Sequence, residues 1–130
     1  MSSLGARDIP VYRFSKSETS PARASIDGIW INEEMFAGYA EFQKLYYLAH
    51  ELGHLARGHC RYSPSLAREL EADVAAAHLL CSKGYRWAVE QYIQHLDNVV
   101  SCYGPHARAD EIHPTFLQQR DCLAQALAGA

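Results

Sequence analysis

The stretch His50-Glu51-Leu52-Gly53-His54 decides how this 130-residue chain is read. On a helix, residues four apart lie one above the other on the same face. His50 and His54 can therefore offer two imidazole nitrogens to one metal ion, with Glu51 beside them. The spacing suits two neutral histidines on Zn²⁺ and a carboxylate placed to take a proton from the ion's water.

Working outward, Leu45, Leu48, Leu52 and Leu55 recur at spacings of three and four and give this helix a core face. His50, His54 and Arg57 fall on a different stripe, as a site opening into a cleft requires. The helix is expected from about Glu41 to Arg57, with Gly58 as terminator. Upstream, Ile9–Phe14 alternates as a short strand and is followed by a polar loop. Ala22–Ile26 and Ile29–Asn32 flank Asp27-Gly28, a strong hairpin signal because both turn residues tolerate positive φ. Asn32 can cap a short helix entered through Glu33-Glu34, with a break near Gly38.

Downstream, Ser63-Pro64 reads as N-cap and first helical residue of a helix ending at Lys83-Gly84. A third long helix is expected from Tyr85 to about Tyr103, ending at Gly104-Pro105. A last one is expected from near Pro114 through Leu127. These elements make one α+β domain over residues 1–130, with about residues 1–8 expected to be disordered. A small antiparallel sheet would pack on a helical core of two metal-binding helices and two C-terminal helices.

Composition narrows the function classes. The formal charge is −3 and both signs are interspersed, so no basic field exists to hold nucleic acid. No apolar run approaches the roughly 20 residues that span a bilayer, and the N-terminal stretch has no signal-like apolar segment. A cytoplasmic protein with a peptide or protein partner and no membrane partner is the expectation. Cys60, Cys81, Cys102 and Cys122 form no C-x-x-C pair, which argues against a cysteine zinc site and for reduced, buried thiols behaving as small hydrophobes.

A catalytic zinc site needs a third protein ligand and one open position. Glu69-Leu70-Glu71-Ala72-Asp73 follows His54 by 15 residues on the next expected helix. Glu69 and Asp73 share a face, whereas Glu71 points about 160° away at 100° per residue. Glu69 is the expected third ligand, and Asp73 would accept a hydrogen bond from the far nitrogen of a ligand histidine. Glu71 is a rival ligand if the helix is rotated. His59 is the other rival, but Gly58 and His59 stand out of register for a three-histidine site. His59 is expected to meet the carbonyls at the helix end instead.

At this point a resemblance becomes specific. His50–His54 followed by Glu69-x-x-x-Asp73 resembles the gluzincin metallopeptidase pattern. The strings His50–His59, Glu69–Ala76, Lys83-Gly84-Tyr85, and His113-Pro114-Thr115 with Arg120 behind resemble a minimal soluble peptidase domain of the M48 family (the HtpX and Ste24 relatives) or a minigluzincin. Such relatives usually carry transmembrane helices or a longer insertion between the metal-binding helices, and this chain has neither. The resemblance implies a zinc endopeptidase with one Zn²⁺ on His50, His54 and Glu69, and with Glu51 as general base. His113 leads the candidates for stabilising the oxyanion, ahead of Arg120, His106, His95, Tyr62, Tyr85 and Tyr103. As a fourth zinc ligand, His113 would instead hold the enzyme latent.

One arm of the hairpin is expected to offer a sheet edge to substrate. Trp30, Phe36, Tyr46 and Tyr47 are read mainly as core, with a pocket as the alternative. Two further readings share the motif. One is a regulatory peptidase of the ImmA/IrrE type acting on a single repressor, the other a non-catalytic zinc- or peptide-binding protein. Glu51 weighs against the last, because a structural zinc site needs no general base.

Overall fold

A computed structural model of the chain describes residues 11–14, 21–25, 28–59, 65–111 and 113–129. The expected disordered stretch 1–8, Cys60, Tyr62 and the Ser63-Pro64 pair lie outside the described residues. Three strands come first: β1 (Val11–Phe14), β2 (Ala22–Ser25) and β3 (Gly28–Asn32). The sheet order is β1-β3-β2. β2 and β3 form the expected antiparallel hairpin, but β1 pairs with β3 in parallel, so the sheet is mixed rather than antiparallel throughout. The reason is topological. β2 reverses the chain and β3 reverses it again, so β3, seated between the others, runs alongside β1.

Ser25 stands opposite Gly28, so Gly28 belongs to β3 rather than to the turn, and Asp27 lies outside the described residues. The positive φ suggested by the Asp-Gly pair is taken by Gly28 as the first residue of β3, at 146°. Asn32 then closes the sheet and opens α1 (Glu33–Ala37), its side-chain oxygen accepting from the Met35 amide at 3.2 Å. The expected break follows at Gly38, which caps α1.

Four long helices follow among the described residues. They are α2 (Glu41–Ala56), α3 (Leu66–Ser82), α4 (Arg86–Tyr103) and α5 (Phe116–Ala128). α2 ends at Arg57, and Gly58 takes φ of 70°, the left-handed conformation that turns the chain off a helix at small cost to glycine. α3 is capped by Ser65, whose hydroxyl accepts from the Arg68 amide at 3.2 Å, and not by Ser63. Two serines precede this helix, and the one in use places Arg68 at the third helical position. α5 starts two residues after Pro114, because Thr115 and Gln118 close a reciprocal capping box at 3.1 and 2.8 Å.

The core sits among α2, α3, α4 and α5, with Ile29 of β3 against it. Leu80, Leu96, Leu123 and Val89 are fully buried there. The leucine stripe of α2 is less deeply placed than expected. Leu45, Leu48 and Leu55 pack half-buried against the core, while Tyr46, Ala49, Leu52 and Gly53 are buried. At the point where α3 comes closest, the buried residue is a glycine. A Cβ built on Gly53 would lie 2.8 Å from the Ala72 carbonyl oxygen. Across that tight seam the two helices face each other with their polar residues. No helix among the described residues is long and apolar enough to cross a membrane.

Candidate metal centre

His50 and His54 lie one turn apart on α2, and Glu69 and Asp73 lie one turn apart on α3. The matched spacing brings the two pairs together. His50 Nε2 is 3.1 Å from Glu69 Oε1, His54 Nε2 is 3.2 Å from Glu69 Oε2, and the two Nε2 atoms are 3.1 Å apart. These three residues form a group whose donor atoms all lie within 4.8 Å of one another, a group that could hold a metal ion. Tetrahedral zinc bonded at 2.0–2.1 Å would separate its ligand atoms by about 3.3 Å. The spacing observed therefore fits such an ion.

The chemistry of the donors fits as well. His50 Nδ1 lies 2.9 Å from Asp73 Oδ1, a carboxylate only 1 % exposed, and so carries the proton that this acceptor wants. The lone pair of His50 is then on Nε2 and faces a carboxylate and a second imidazole. Such a cluster of acceptors needs a cation or extra protons to be stable. Burial draws the pKa of His50 down, but the charge and hydrogen bond of Asp73, with Glu69 behind them, hold it well above the usual histidine value. Burial pushes Glu69 up, yet hydrogen bonds and charge from His50 and His54 hold it well below the ordinary carboxylate range.

Asp73 takes the place expected of it, and its Oδ1 also accepts from the Tyr46 hydroxyl and from Gln119 Nε2 at 3.2 Å. Tyr46 stacks on Tyr92 with ring centroids 3.8 Å apart, which ties the seam into the core. The site opens on one side into a cleft of about 280 Å³ lined by Glu51, His50, Glu69, Tyr46, Tyr47, His113 and others. Glu51 reaches it one residue beyond His50. Burial lifts the Glu51 carboxyl above its normal range against the pull of His50 and His54.

His113 arrives from the loop between α4 and α5. Its Nε2 is 3.3 Å from Glu69 Oε1, and its Nδ1 is 2.7 Å from Asp110 Oδ1. Arg108, which sequence reasoning missed, shapes that loop: its guanidinium donates to the carbonyls of Asp110, Glu111 and His113 at 2.6–3.2 Å. A lone arginine in a polar loop carries no spacing signal that would have marked it.

Other candidates fall elsewhere. Arg120 spans α5 to α4, bonding Asp97 at 2.7 Å and its neighbour Asp121, and so serves as an interhelical ion pair outside the cleft lining. His95 packs on Phe42 and Tyr92, Tyr85 on Trp87, and His106 and Tyr103 are exposed. Of the four aromatics read mainly as core, Phe36 is buried, but Tyr46 and Tyr47 also line the cleft. Trp30 is half-buried on the sheet, with Arg23 over its ring at 5.3 Å.

Neither rival for third ligand joins the group. His59 does not meet the helix-end carbonyls as expected, because the turn at Gly58 folds it back along α2. Its Nδ1 lies 3.0 Å from His54 Nδ1, and its Nε2 lies 2.8 Å from Glu71 Oε1. Cys81, Cys102 and Cys122 are free thiols as expected but not buried: Cys81 and Cys122 are half-buried, and Cys102 is exposed near the end of α4. Comparison with protein-family models, curated proteins and solved structures finds no match to this chain.

Proposed function

We propose that this chain is a zinc-dependent endopeptidase of gluzincin type, with His50, His54 and Glu69 as the metal ligands and Glu51 as the general base. One observation carries the reading. Three donors converge within 3.2 Å of one another at the end of a cleft that Glu51 lines beside them. A structural zinc site is closed by four protein ligands, whereas a catalytic one keeps a position open and a base nearby.

Zinc bound there would polarise the attacking water and the scissile carbonyl. The chain's own residues supply the remaining steps. Glu51 takes the proton of the attacking water and returns it to the leaving amine nitrogen. Its burial, by raising its proton affinity, suits both halves of that task. His113 lines the cleft with its Nε2 3.3 Å from Glu69 Oε1; because Nδ1–H is given to Asp110, Nε2 donates to the oxyanion of the tetrahedral carbonyl in the imidazolium form of the ring. Asp73 keeps the His50 ring in the tautomer that presents Nε2.

The substrate path follows from the sheet. β2 has β3 on one side and no strand partner on the other among the described residues, and Pro21 and Ala22 line the cleft. An extended peptide adding to that edge through main-chain hydrogen bonds would pass the metal centre.

The test is metal analysis of wild type, Glu51→Gln and Glu69→Ala, with peptide-library cleavage on the same samples. The expected result is one zinc and cleavage for wild type, one zinc without cleavage for Glu51→Gln, and neither for Glu69→Ala. Stoichiometric zinc in a wild type that cleaves no peptide or protein offered would leave a zinc-binding protein and remove the peptidase.

A further inference from the structure

His54 differs from its partner ligand in what stands behind it. His50 turns its Nδ1 to the buried carboxylate of Asp73, which can only accept. His54 turns its Nδ1 to another imidazole nitrogen, Nδ1 of His59, at 3.0 Å. An imidazole nitrogen donates or accepts depending on its proton, so the contact works in one direction only once the tautomers are set.

The surroundings set them. For His54 to offer Nε2 to a cation, its proton must be on Nδ1, which then donates to His59 Nδ1. His59 in turn must carry its proton on Nε2, and there Glu71 Oε1 accepts at 2.8 Å. Each link has one donor and one acceptor, and no other assignment satisfies both contacts while leaving His54 Nε2 free. Local geometry supports the arrangement. Gly58, at φ of 70°, returns the chain so that His59 is 8 % exposed beneath α2. Glu71 points away from Glu69 and Asp73 around α3, which takes it out of the ligand set and towards His59.

We infer that His59 and Glu71 form a relay that fixes the tautomer and ring orientation of His54 and thereby sets the metal affinity of the centre. The inference rests on the metal-centre reading above. His59 is a positioning residue: it touches neither substrate nor the ion. Losing such a partner typically weakens metal binding 10–100-fold. The two links are unequal. His59 is buried, while the Glu71 side chain is 56 % exposed, so the charge of Glu71 is screened by water and its loss weighs less.

The experiment is competition for Zn²⁺ between a chromophoric chelator and wild type, His59→Leu, His59→Asn and Glu71→Ala, with apo-protein melting followed in parallel. Asparagine places an oxygen near the position of Nδ1 and so keeps an acceptor for His54. The expected order is wild type, then His59→Asn within about threefold, then Glu71→Ala, with His59→Leu weaker by about 10–100-fold. Nitrogen-15 spectra of the zinc-loaded wild type should show His59 neutral with its proton on Nε2. Unchanged affinity in His59→Leu, no recovery in His59→Asn, or a His59 proton on Nδ1 would each overturn the relay. Should His59→Leu fail to fold, the tautomer of His59 in wild type decides alone. Wild type that binds no Zn²⁺ overturns the metal centre itself, whereas tight wild-type binding with an indifferent His59→Leu overturns only the relay.

Discussion

Gly53→Ala asks whether the close approach of α2 and α3 builds the metal centre. The added Cβ would stand 2.8 Å from the Ala72 carbonyl oxygen and 3.2 Å from both Ala72 Cα and Ala75 Cβ, whereas ordinary contact begins near 3.4 Å. The nearest obstacle is backbone, so no side chain can swing aside, and the helices must separate by about 0.6 Å at that point. Two effects oppose each other in the metal-free protein. Overpacking a tight seam costs about 1–3 kcal/mol, while replacing glycine by alanine inside a helix returns about 1 kcal/mol. The net loss is about 0–2 kcal/mol, a fall of up to about 10 °C in the melting temperature of a domain this size. Metal binding should suffer far more, because zinc tolerates only about ±0.2 Å in its bond lengths. Gly53 lies between His50 and His54, and Ala72 between Glu69 and Asp73, so the displacement opens the ligand set itself. Zinc titration with melting of both forms is the assay. The expectation is at least a tenfold weaker zinc affinity with a modest change in apo stability. An alanine variant that melts no lower and binds zinc as tightly as wild type would refute the claim that this contact sets the site.

Other consequences are equally direct. His113→Ala should retain zinc and lower kcat by about 10²–10³, the usual cost of removing one oxyanion donor; full turnover in that variant would remove His113 from the mechanism. Arg108→Lys keeps the charge but not the fork that holds three carbonyls, so kcat should fall with zinc affinity intact, read by steady-state kinetics beside zinc titration. Chelator should lower the melting temperature of holoprotein, since zinc at 100 times its Kd stabilises the fold by about 2.7 kcal/mol; identical melting curves with and without chelator would contradict a folded-state metal site. Alkaline pH should unfold the domain cooperatively. Burial, reinforced by Asp73, raises the pKa of both Tyr46 and Tyr92 well above the usual tyrosine value. The unfolded chain therefore loses these protons first, and stability falls as pH climbs past about 10, by up to 1.36 kcal/mol per pH unit for each ring. Phenolate absorbance rising for these two rings in a still-folded protein would contradict that.

Much of the helical frame was legible because it follows from local rules. Asn32, Gly38 and Gly104 punctuate helices as their types predict, and the i, i+4 spacing of His50 with His54 and of Glu69 with Asp73 survives into space. What misled sequence reading was competition between near-equal local choices. Ser63 and Ser65 are both good caps, Pro114 and Thr115 both good starts, and which one wins depends on the partner amide within reach. The parallel pairing of β1 is a different matter, because strand order is a long-range property without a signature in the strand's own residues. The leucine stripe of α2 does face the core, with Leu52 buried and Leu45, Leu48 and Leu55 packed half-buried against it, but it did not mark the seam with α3. That seam is set by Gly53 against the Ala72 backbone, and a glycine inside a helical pattern carries no signal of which helix will approach it.

Two helices suffice to assemble this group of residues. Two helices whose polar residues repeat at the same interval of four need only one crossing contact to align both pairs, and Gly53 against Ala72 is that contact. Glu69 then meets both histidines and Asp73 meets one, leaving the second histidine without a carboxylate behind it. A symmetric solution would need another acid one turn beyond Glu69 towards the N-terminus of α3, and that helix begins at Leu66. The chain instead recruits His59 from the end of α2 itself, through a glycine turn, and anchors it on the other glutamate of the same α3 motif. The two rivals for the third ligand position, His59 and Glu71, thus meet each other behind His54. Their place in the sequence pattern has a physical account that makes neither of them a ligand.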